Sequence, residues 1–248
     1  MHRFYIAPEN WQPDALVLTG AEAHHGRNVL RLEPGDKVVL FDGRGHEVTA
    51  EITASDAAQI QLRKLHEART PPLRCRITLG QAIPKGKNMD LIVQKAVEIG
   101  AAEISPILSD RTIVRLDEES AASKQEKWQT VAIEAAKQCG QNWLPRVQTP
   151  QSLAQFFQEH RRFDLQLIGS LQTDAVHLKK ILAEYSAEHG DRPASVLMLV
   201  GPEGDFTPAE LSLARSQGCR PITLGPIVLR VETASIYCLS VLSYELLV

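Results

Sequence analysis

Two glycine-proline segments near the carboxyl terminus contain the residues best suited to chemistry. Residues 201–204 (Gly-Pro-Glu-Gly) follow the apolar run 196–200, and residues 225–226 (Gly-Pro) follow the run 222–224. Ligands bind beyond the carboxyl ends of the strands in open α/β sheets. Glycine allows a backbone to approach a ligand closely, and proline fixes the shape of a loop. Either segment alone is most often a simple turn, but the pair together indicates a shared ligand site.

Three charged side chains lie in or just after these segments: Glu203, Arg230 and Glu232. A cation stabilises negative charge that develops during a reaction, and a carboxylate can accept a proton. Arg230 and Glu232 are also close enough in the chain to form an ordinary surface ion pair. The residues by themselves leave both interpretations open.

The common cofactor and metal motifs are absent from the sequence. Residues 80–88 resemble a phosphate-binding loop, but the glycine spacing is too long and Asn88 replaces the Ser or Thr that binds magnesium. The four cysteines, at positions 75, 139, 219 and 238, are too dispersed for a zinc site. We therefore expect no metal.

The composition is that of a globular protein. The 248 residues include 27 Lys and Arg against 30 Asp and Glu, a net charge of −3, and 44% are hydrophobic. This balance excludes a strongly basic coat, although a local basic groove remains possible. No apolar run is long enough to cross a bilayer, the first residues lack a secretory signal, and dispersed thiols suit a reducing compartment. The sequence predicts a soluble cytoplasmic protein without membrane contact.

The predicted secondary-structure elements that must position these residues change in type near residue 70. Before it, short β-type runs surround a short helix at 21–30, and Asp42 with Gly43 is a strong hairpin signal. This spacing predicts a small barrel or sandwich, followed by a proline-containing linker at 66–72. The predicted strands are 15–18, 37–41, 47–53 and 59–65.

After the linker, strand and helix signals alternate, which predicts an α/β domain with a mostly parallel sheet. Asn88 is placed to cap one helix that Gly100 ends, and residues 207–210 form a capping box for another that ends at Gly218. Two further helices are predicted at 123–139 and 235–247. The predicted strands are 76–79, 103–107, 165–168, 196–200 and 222–224.

The order and spacing of several short motifs extend over nearly the whole chain and together are highly specific. They are His24 with 29–31 and 34–36, 85–90 (Lys-Gly-Lys-Asn-Met-Asp), 94–100, 134–140, 201–204 and 224–234 (Leu-Gly-Pro-Ile-Val-Leu-Arg-Val-Glu-Thr-Ala). This pattern resembles the RsmE family of SPOUT-class methyltransferases, which methylate N3 of one uridine in small-subunit (16S) ribosomal RNA.

The resemblance implies a PUA-like β-barrel over residues 1–72 and a SPOUT α/β domain with a trefoil knot over 73–248. It also implies S-adenosylmethionine (SAM) as cofactor, a homodimer, and small-subunit ribosomal RNA or the assembled subunit as substrate. The residues expected to bind SAM are Leu199, Val200, Gly201, Pro202, Gly204, Leu224, Gly225, Pro226, Ile227, Leu229, Thr233 and Ala234.

The same resemblance favours a catalytic or substrate-binding role for Arg230, beside the uracil. Glu232 or Glu203 would accept the proton or orient the loop, and these two roles are not separable here. RNA phosphates are expected to contact five basic residues, although the two lysines are equally well explained as solvated. These residues are Arg3, Arg27, Arg31, Lys85 and Lys87.

Two positions depart from the family pattern. Asp205 stands where a second glycine usually follows Gly204, and Val231 stands where threonine is usual. Both affect expected cofactor contacts and keep one alternative open, a non-catalytic RNA-binding assembly factor with an inactive methyltransferase domain. A separate alternative is a SPOUT enzyme that modifies another base or a tRNA.

Overall fold

The computed structural model describes residues 1–112 and 116–247. The chain divides into two units. One contains Met1–Pro72 together with Ile133–Leu144, and the other contains the remaining described residues.

The first unit is built on a five-stranded sheet in the order β1-β3-β4-β5-β2. β1 and β3 are parallel, and the other neighbours are antiparallel. All five strands contribute buried side chains to one apolar core, as expected for a small barrel or a strongly coiled sheet. The strands are β1 (His2–Tyr5), β2 (Val17–Thr19), β3 (Lys37–Phe41), β4 (His46–Ser55) and β5 (Gln59–Arg69).

The predicted hairpin at residues 42–45 is confirmed. Asp42 Oδ1 accepts hydrogen bonds from the backbone N–H groups of Arg44 (2.7 Å) and His46 (3.0 Å). Gly43 and Gly45 have φ values of 73° and 92°, a region that favours glycine. The turn therefore follows directly from its residue types.

Two predictions in this unit need correction. β5 continues to Arg69, so the first half of the predicted linker at 66–72 is strand, because β4 is long enough to pair with it there. The predicted helix at 21–30 is an α-helix, α1 (Gly20–His24), that continues as a π-helical turn at His25–Val29.

The second unit contains an eight-stranded sheet in the order β11-β13-β10-β12-β6-β7-β8, with β9 also paired to β7. Every pairing is parallel, which confirms the sequence prediction. Consequently the carboxyl ends of all these strands lie at one edge. The strands are β6 (Arg76–Ala82), β7 (Glu103–Leu108), β8 (Arg146–Val147), β9 (Gln151–Ser152), β10 (Leu165–Gly169), β11 (Val176–His177), β12 (Ser195–Val200) and β13 (Arg220–Thr223).

The helices follow the predicted alternation, with differences at their ends. Asn88, expected as a cap, is the first residue of its helix, and Lys87 occupies the N-cap position. Two helices begin earlier than predicted, at 118 and 231. The first turn of the helix at 118 is polar, whereas the first turn of the helix at 231 already contains buried Val231 and Ala234. The helices are α2 (Asn88–Ile99), α3 (Glu118–Cys139), α4 (Leu153–Gln158), α5 (Leu178–His189), α6 (Pro208–Ser216) and α7 (Val231–Leu246). None of the helices in the described residues is long and apolar enough to cross a membrane.

Candidate active site

A pocket lies at the carboxyl ends of β10, β12 and β13, which are neighbours in the sheet. The two glycine-proline segments leave β12 and β13 and contribute to the same pocket, as the sequence predicted. The strand between them, β10, adds a third segment. The lining residues are Gly169, Ser170, Leu171, Val200, Gly201, Pro202, Glu203, Asp205, Leu224, Gly225, Ile227, Val228, Leu229, Val231 and Ala234.

The twelve residues expected to bind SAM are not all on the pocket wall. Leu199 is fully buried in the core beside Gly80, where a Cβ on that glycine would lie 2.4 Å from Leu199 Cδ2. Gly204, Pro226 and Thr233 also lie outside the lining. The eight that line the pocket are Val200, Gly201, Pro202, Leu224, Gly225, Ile227, Leu229 and Ala234. Cofactor binding by all twelve stays a prediction.

Sequence reasoning missed residues 169–171, which line the pocket from the end of β10. Ser170 is buried, and its backbone N–H donates to the carbonyl of Ile222 in β13 (3.0 Å), which joins the two strand ends. The glycine at the end of the predicted strand 165–168 indicates a loop that could contact a ligand. The position of β10 between β12 and β13 could not be predicted from the sequence, because strand order depends on pairing between distant segments.

The loop after β12 is anchored at several points. The Arg111 guanidinium donates to the Gly204 carbonyl, and the Lys85 backbone N–H donates to Glu203 Oε1 (3.0 Å). Asp205 has φ of 62°, and its Oδ1 accepts from the N–H of Phe206 (2.8 Å). Aspartate is among the few residues that tolerate this conformation, so the expected glycine is replaced without loss of the turn.

The loop after β13 is more open. Gly225 has φ of 112°, and an added Cβ there would meet no atom within 4 Å. Ile227 and Val228 are 74% and 73% exposed. Arg230 is the N-cap residue of α7 in an extended conformation, and its side chain does not cap the helix. Val231, the second departure from the family pattern, is buried at the first turn of α7.

The three predicted catalytic residues line one adjoining pocket. Glu203, Arg230 and Glu232 lie there together with Asn88, whose Nδ2 donates to Glu232 Oε2 (3.1 Å). Across the described part of the chain, no carboxylate forms an ion pair with Arg230. The surface pair between Arg230 and Glu232 is therefore not formed, and the cation faces solvent beside two carboxylates.

The basic residues expected to contact RNA differ in their surroundings. Arg3 donates to Glu47 (2.8 Å) and Asn142 (2.5 Å) and stacks on Phe41, so its guanidinium is already engaged. Arg27 donates to the Asp56 carbonyl (3.0 Å).

The other three basic residues are more open. Arg31, Lys85 and Lys87 are exposed. Within residues 1–112 and 116–247, no three metal-binding side chains lie close enough to bind an ion.

Two protein-family models match this chain. A model described as RNA methyltransferase domain matches residues 71–243, and one described as RNA methyltransferase PUA domain matches residues 18–65. Ribosomal RNA small subunit methyltransferase E of Bacillus subtilis (strain 168) is 32% identical over 99% of this chain and 97% of its own length.

Two solved structures are similar over almost their full length. One is a ribosomal RNA small subunit methyltransferase E from Neisseria gonorrhoeae bound to SAM, with 32% identity, TM-score 0.86, and coverage of 99% and 98% of the two chains. The other is a candidate methyltransferase from Legionella pneumophila in complex with SAM, with 34% identity, TM-score 0.86, and coverage of 98% and 97%.

Proposed function

Because the chain belongs to the ribosomal RNA small subunit methyltransferase E family, we propose that it transfers a methyl group from SAM to N3 of one uridine in small-subunit ribosomal RNA. The observation that carries this proposal is the pair of adjoining pockets: one has apolar and backbone walls, and the other contains Arg230, Glu203 and Glu232. SAM, when bound, supplies a methyl group activated by a sulfonium cation.

The residues of the first pocket fit SAM. Apolar side chains such as Leu224, Ile227 and Leu229 suit the faces of an adenine, and the loop backbone can hydrogen-bond to its edge. Gly225 leaves open space beside the backbone. The carboxylates of Glu203 and Asp205 suit a positively charged sulfur.

The residues of the second pocket suit deprotonation of a uracil. The unpaired Arg230 cation stabilises the negative charge that develops as the N3 proton leaves. Glu232 or Glu203 accepts that proton. Asn88 donates to Glu232, and the Lys85 backbone donates to Glu203, so each carboxylate is oriented by one donor.

The experiment is transfer of tritiated methyl groups from SAM to small subunits that lack this modification, with the product mapped by mass spectrometry. We expect label on N3 of one uridine, and Arg230→Ala should slow transfer by about 100- to 1,000-fold, the usual effect of removing one transition-state donor. SAM binding should persist in that variant, measured by calorimetry. Arg74→Ala is the control, since Arg74 is an exposed arginine in an ion pair with Asp191 that lines neither pocket.

Each alternative has its own outcome. Label on a different base or on tRNA would identify a different SPOUT activity. No label, with folded protein that shows little binding of SAM, would favour the non-catalytic assembly factor.

Several finer features belong to the same proposal. We propose the trefoil knot in the C-terminal part, domain limits of 1–72 and 73–248, a homodimer and a cytoplasmic location, all supported by family membership. For RNA contact we favour the exposed cations Arg31, Lys85 and Lys87, followed by Arg27, whose guanidinium already donates to the Asp56 carbonyl. Arg3 is less suited because Glu47 and Asn142 already bind its guanidinium.

A further inference from the structure

The charge of the first pocket has one sign. Of its fifteen lining residues, only Glu203 and Asp205 are ionisable near neutral pH, and both are acidic. Within the described residues, no lysine, arginine or histidine contributes to the lining. A cation placed in this pocket is therefore favoured over a neutral group of the same shape.

Asp205 is fixed more firmly than an ordinary loop carboxylate. Its Oδ1 accepts from the Phe206 N–H (2.8 Å) and lies 3.2 Å from where a Cβ on Gly201 would be. The half-buried side chain is thus folded back over the glycine of its own loop. One oxygen is occupied by that N–H, which leaves the second oxygen to interact with a ligand.

The nearby cations form no ion pair with this carboxylate in the described residues. Arg111 donates to the Gly204 carbonyl, and Arg230 lies in the adjoining pocket. Neither forms an ion pair with Asp205 or Glu203 in the part of the chain described. The negative charge on the wall is therefore available to a ligand.

We infer that Asp205 makes the pocket discriminate the cationic methyl donor from its neutral product, S-adenosylhomocysteine. This inference rests on the proposed function. In the transfer, the C–S bond breaks with its electron pair left on sulfur, the N–C bond forms, and the N3 proton leaves to a carboxylate. The sulfur loses its charge, so its attraction to Asp205 ends at the moment of reaction, and product release becomes easier.

The experiment is calorimetric titration of the full chain with SAM and with S-adenosylhomocysteine. The measured quantity is the ratio of the two dissociation constants, product over donor. In Asp205→Asn, which keeps the size and tolerates the positive φ, the ratio should fall about 3- to 10-fold, as expected for loss of one partly screened charge interaction. Asp205→Gly should give the same fall, although it also relieves the backbone.

Two controls test whether charge is the cause. Asp14→Asn changes the net charge equally, but Asp14 is 93% exposed at its side chain in the first unit, so the ratio should not change. Sinefungin is an analogue with an amine in place of the sulfonium, and the Asp205 substitutions should weaken its binding as they weaken the binding of SAM. In the wild type, raising the salt concentration should lower the ratio, because screening weakens the attraction.

The outcomes distinguish failure of this inference from failure of the proposed function. If both Asp205 variants weaken donor and product equally, or leave the ratio unchanged, the inference is wrong although the proposed function stands. If the wild type binds neither ligand, the proposed function is wrong, and the inference about Asp205 is wrong as well.

Discussion

The two loops that form the pocket are built in opposite ways. Residues 201–207, after β12, are anchored by hydrogen bonds from Lys85 and Arg111, and the side chain of Phe206 is buried in the core. The loop then enters α6 through a complete capping box between Thr207 and Glu210. Its shape is therefore determined before any ligand binds.

The loop at 224–230, after β13, has little of this support. Outside the strand ladders and helices of the described chain, residues 224–229 make one hydrogen bond, from the Gly225 N–H to Thr223 Oγ1 (3.3 Å). α7 begins without a side-chain cap, and Ile227 and Val228 are almost three-quarters exposed.

The difference indicates that the two loops, which form two walls of the pocket, have different roles. The first wall is preorganised and sets the geometry of the pocket. The second has the features of a locally labile segment, few hydrogen bonds and exposed apolar surface, and it gains burial when a ligand covers it. We expect substitutions that disturb the anchoring contacts of the first loop to lower stability, and substitutions that change the backbone of residues 224–229 to weaken binding.

The largest expected effect is on folding, in Glu210→Ala. The buried carboxylate of Glu210 accepts hydrogen bonds from Ser109 Oγ (3.1 Å), the Asp110 N–H (3.0 Å), and the Thr207 N–H (2.8 Å) and hydroxyl (3.0 Å). Its removal leaves several of these donors unsatisfied, so the free energy of unfolding should fall by about 2–4 kcal/mol. Urea denaturation measures this loss.

Glu126→Ala is the matched control, because Glu126 is exposed on a helix and should change stability by less than about 0.5 kcal/mol. A similarly small loss in Glu210→Ala would mean that the first loop is not stabilised by this cluster.

A smaller effect should distinguish Gly201 in the first loop from Gly225 in the second. In Gly201→Ala the new Cβ lies 3.2 Å from both Asp205 Oδ1 and the Phe206 nitrogen, and the anchored loop cannot move away. We expect a loss of about 1–3 kcal/mol. In Gly225→Ala the Cβ meets no atom, but φ of 112° is unfavourable for alanine. There the open loop can rearrange, so stability should fall by less than about 1 kcal/mol, while SAM binding weakens.

Urea denaturation measures which of the two glycine variants loses more stability, and calorimetry measures which one binds SAM more weakly. If Gly225→Ala is the more destabilising of the two, the proposed division between a preorganised and a labile wall is wrong.

The sequence predicted the local features of the site better than its long-range arrangement. The capping box at Thr207 and Glu210 is confirmed because it depends on residues three positions apart. The place of β10 between β12 and β13 depends on pairing between segments dozens of residues apart, so Ser170 was missed as a lining residue.

Asn88 also shows that local sequence does not reveal long-range contacts. Its type suggested a cap from local sequence alone, whereas its side chain donates to Glu232, which is 144 positions away.

The smallest expected effect concerns thiol labelling of the unchanged chain. It tests whether the lability of the second loop extends into β13 and α7. Cys219 precedes β13 and Cys238 lies within α7, and burial raises the pKa of each thiol to about 12. The thiolate is the reactive form, so at pH 8 only roughly one molecule in 10⁴ is reactive at either site. Exposed Cys139 should react with iodoacetamide, whereas Cys219 and Cys238 stay unlabelled, as read by peptide mass spectrometry. Labelling of all three at similar rates would mean that β13 and α7 open together with residues 224–230, and the lability would then not be confined to the loop.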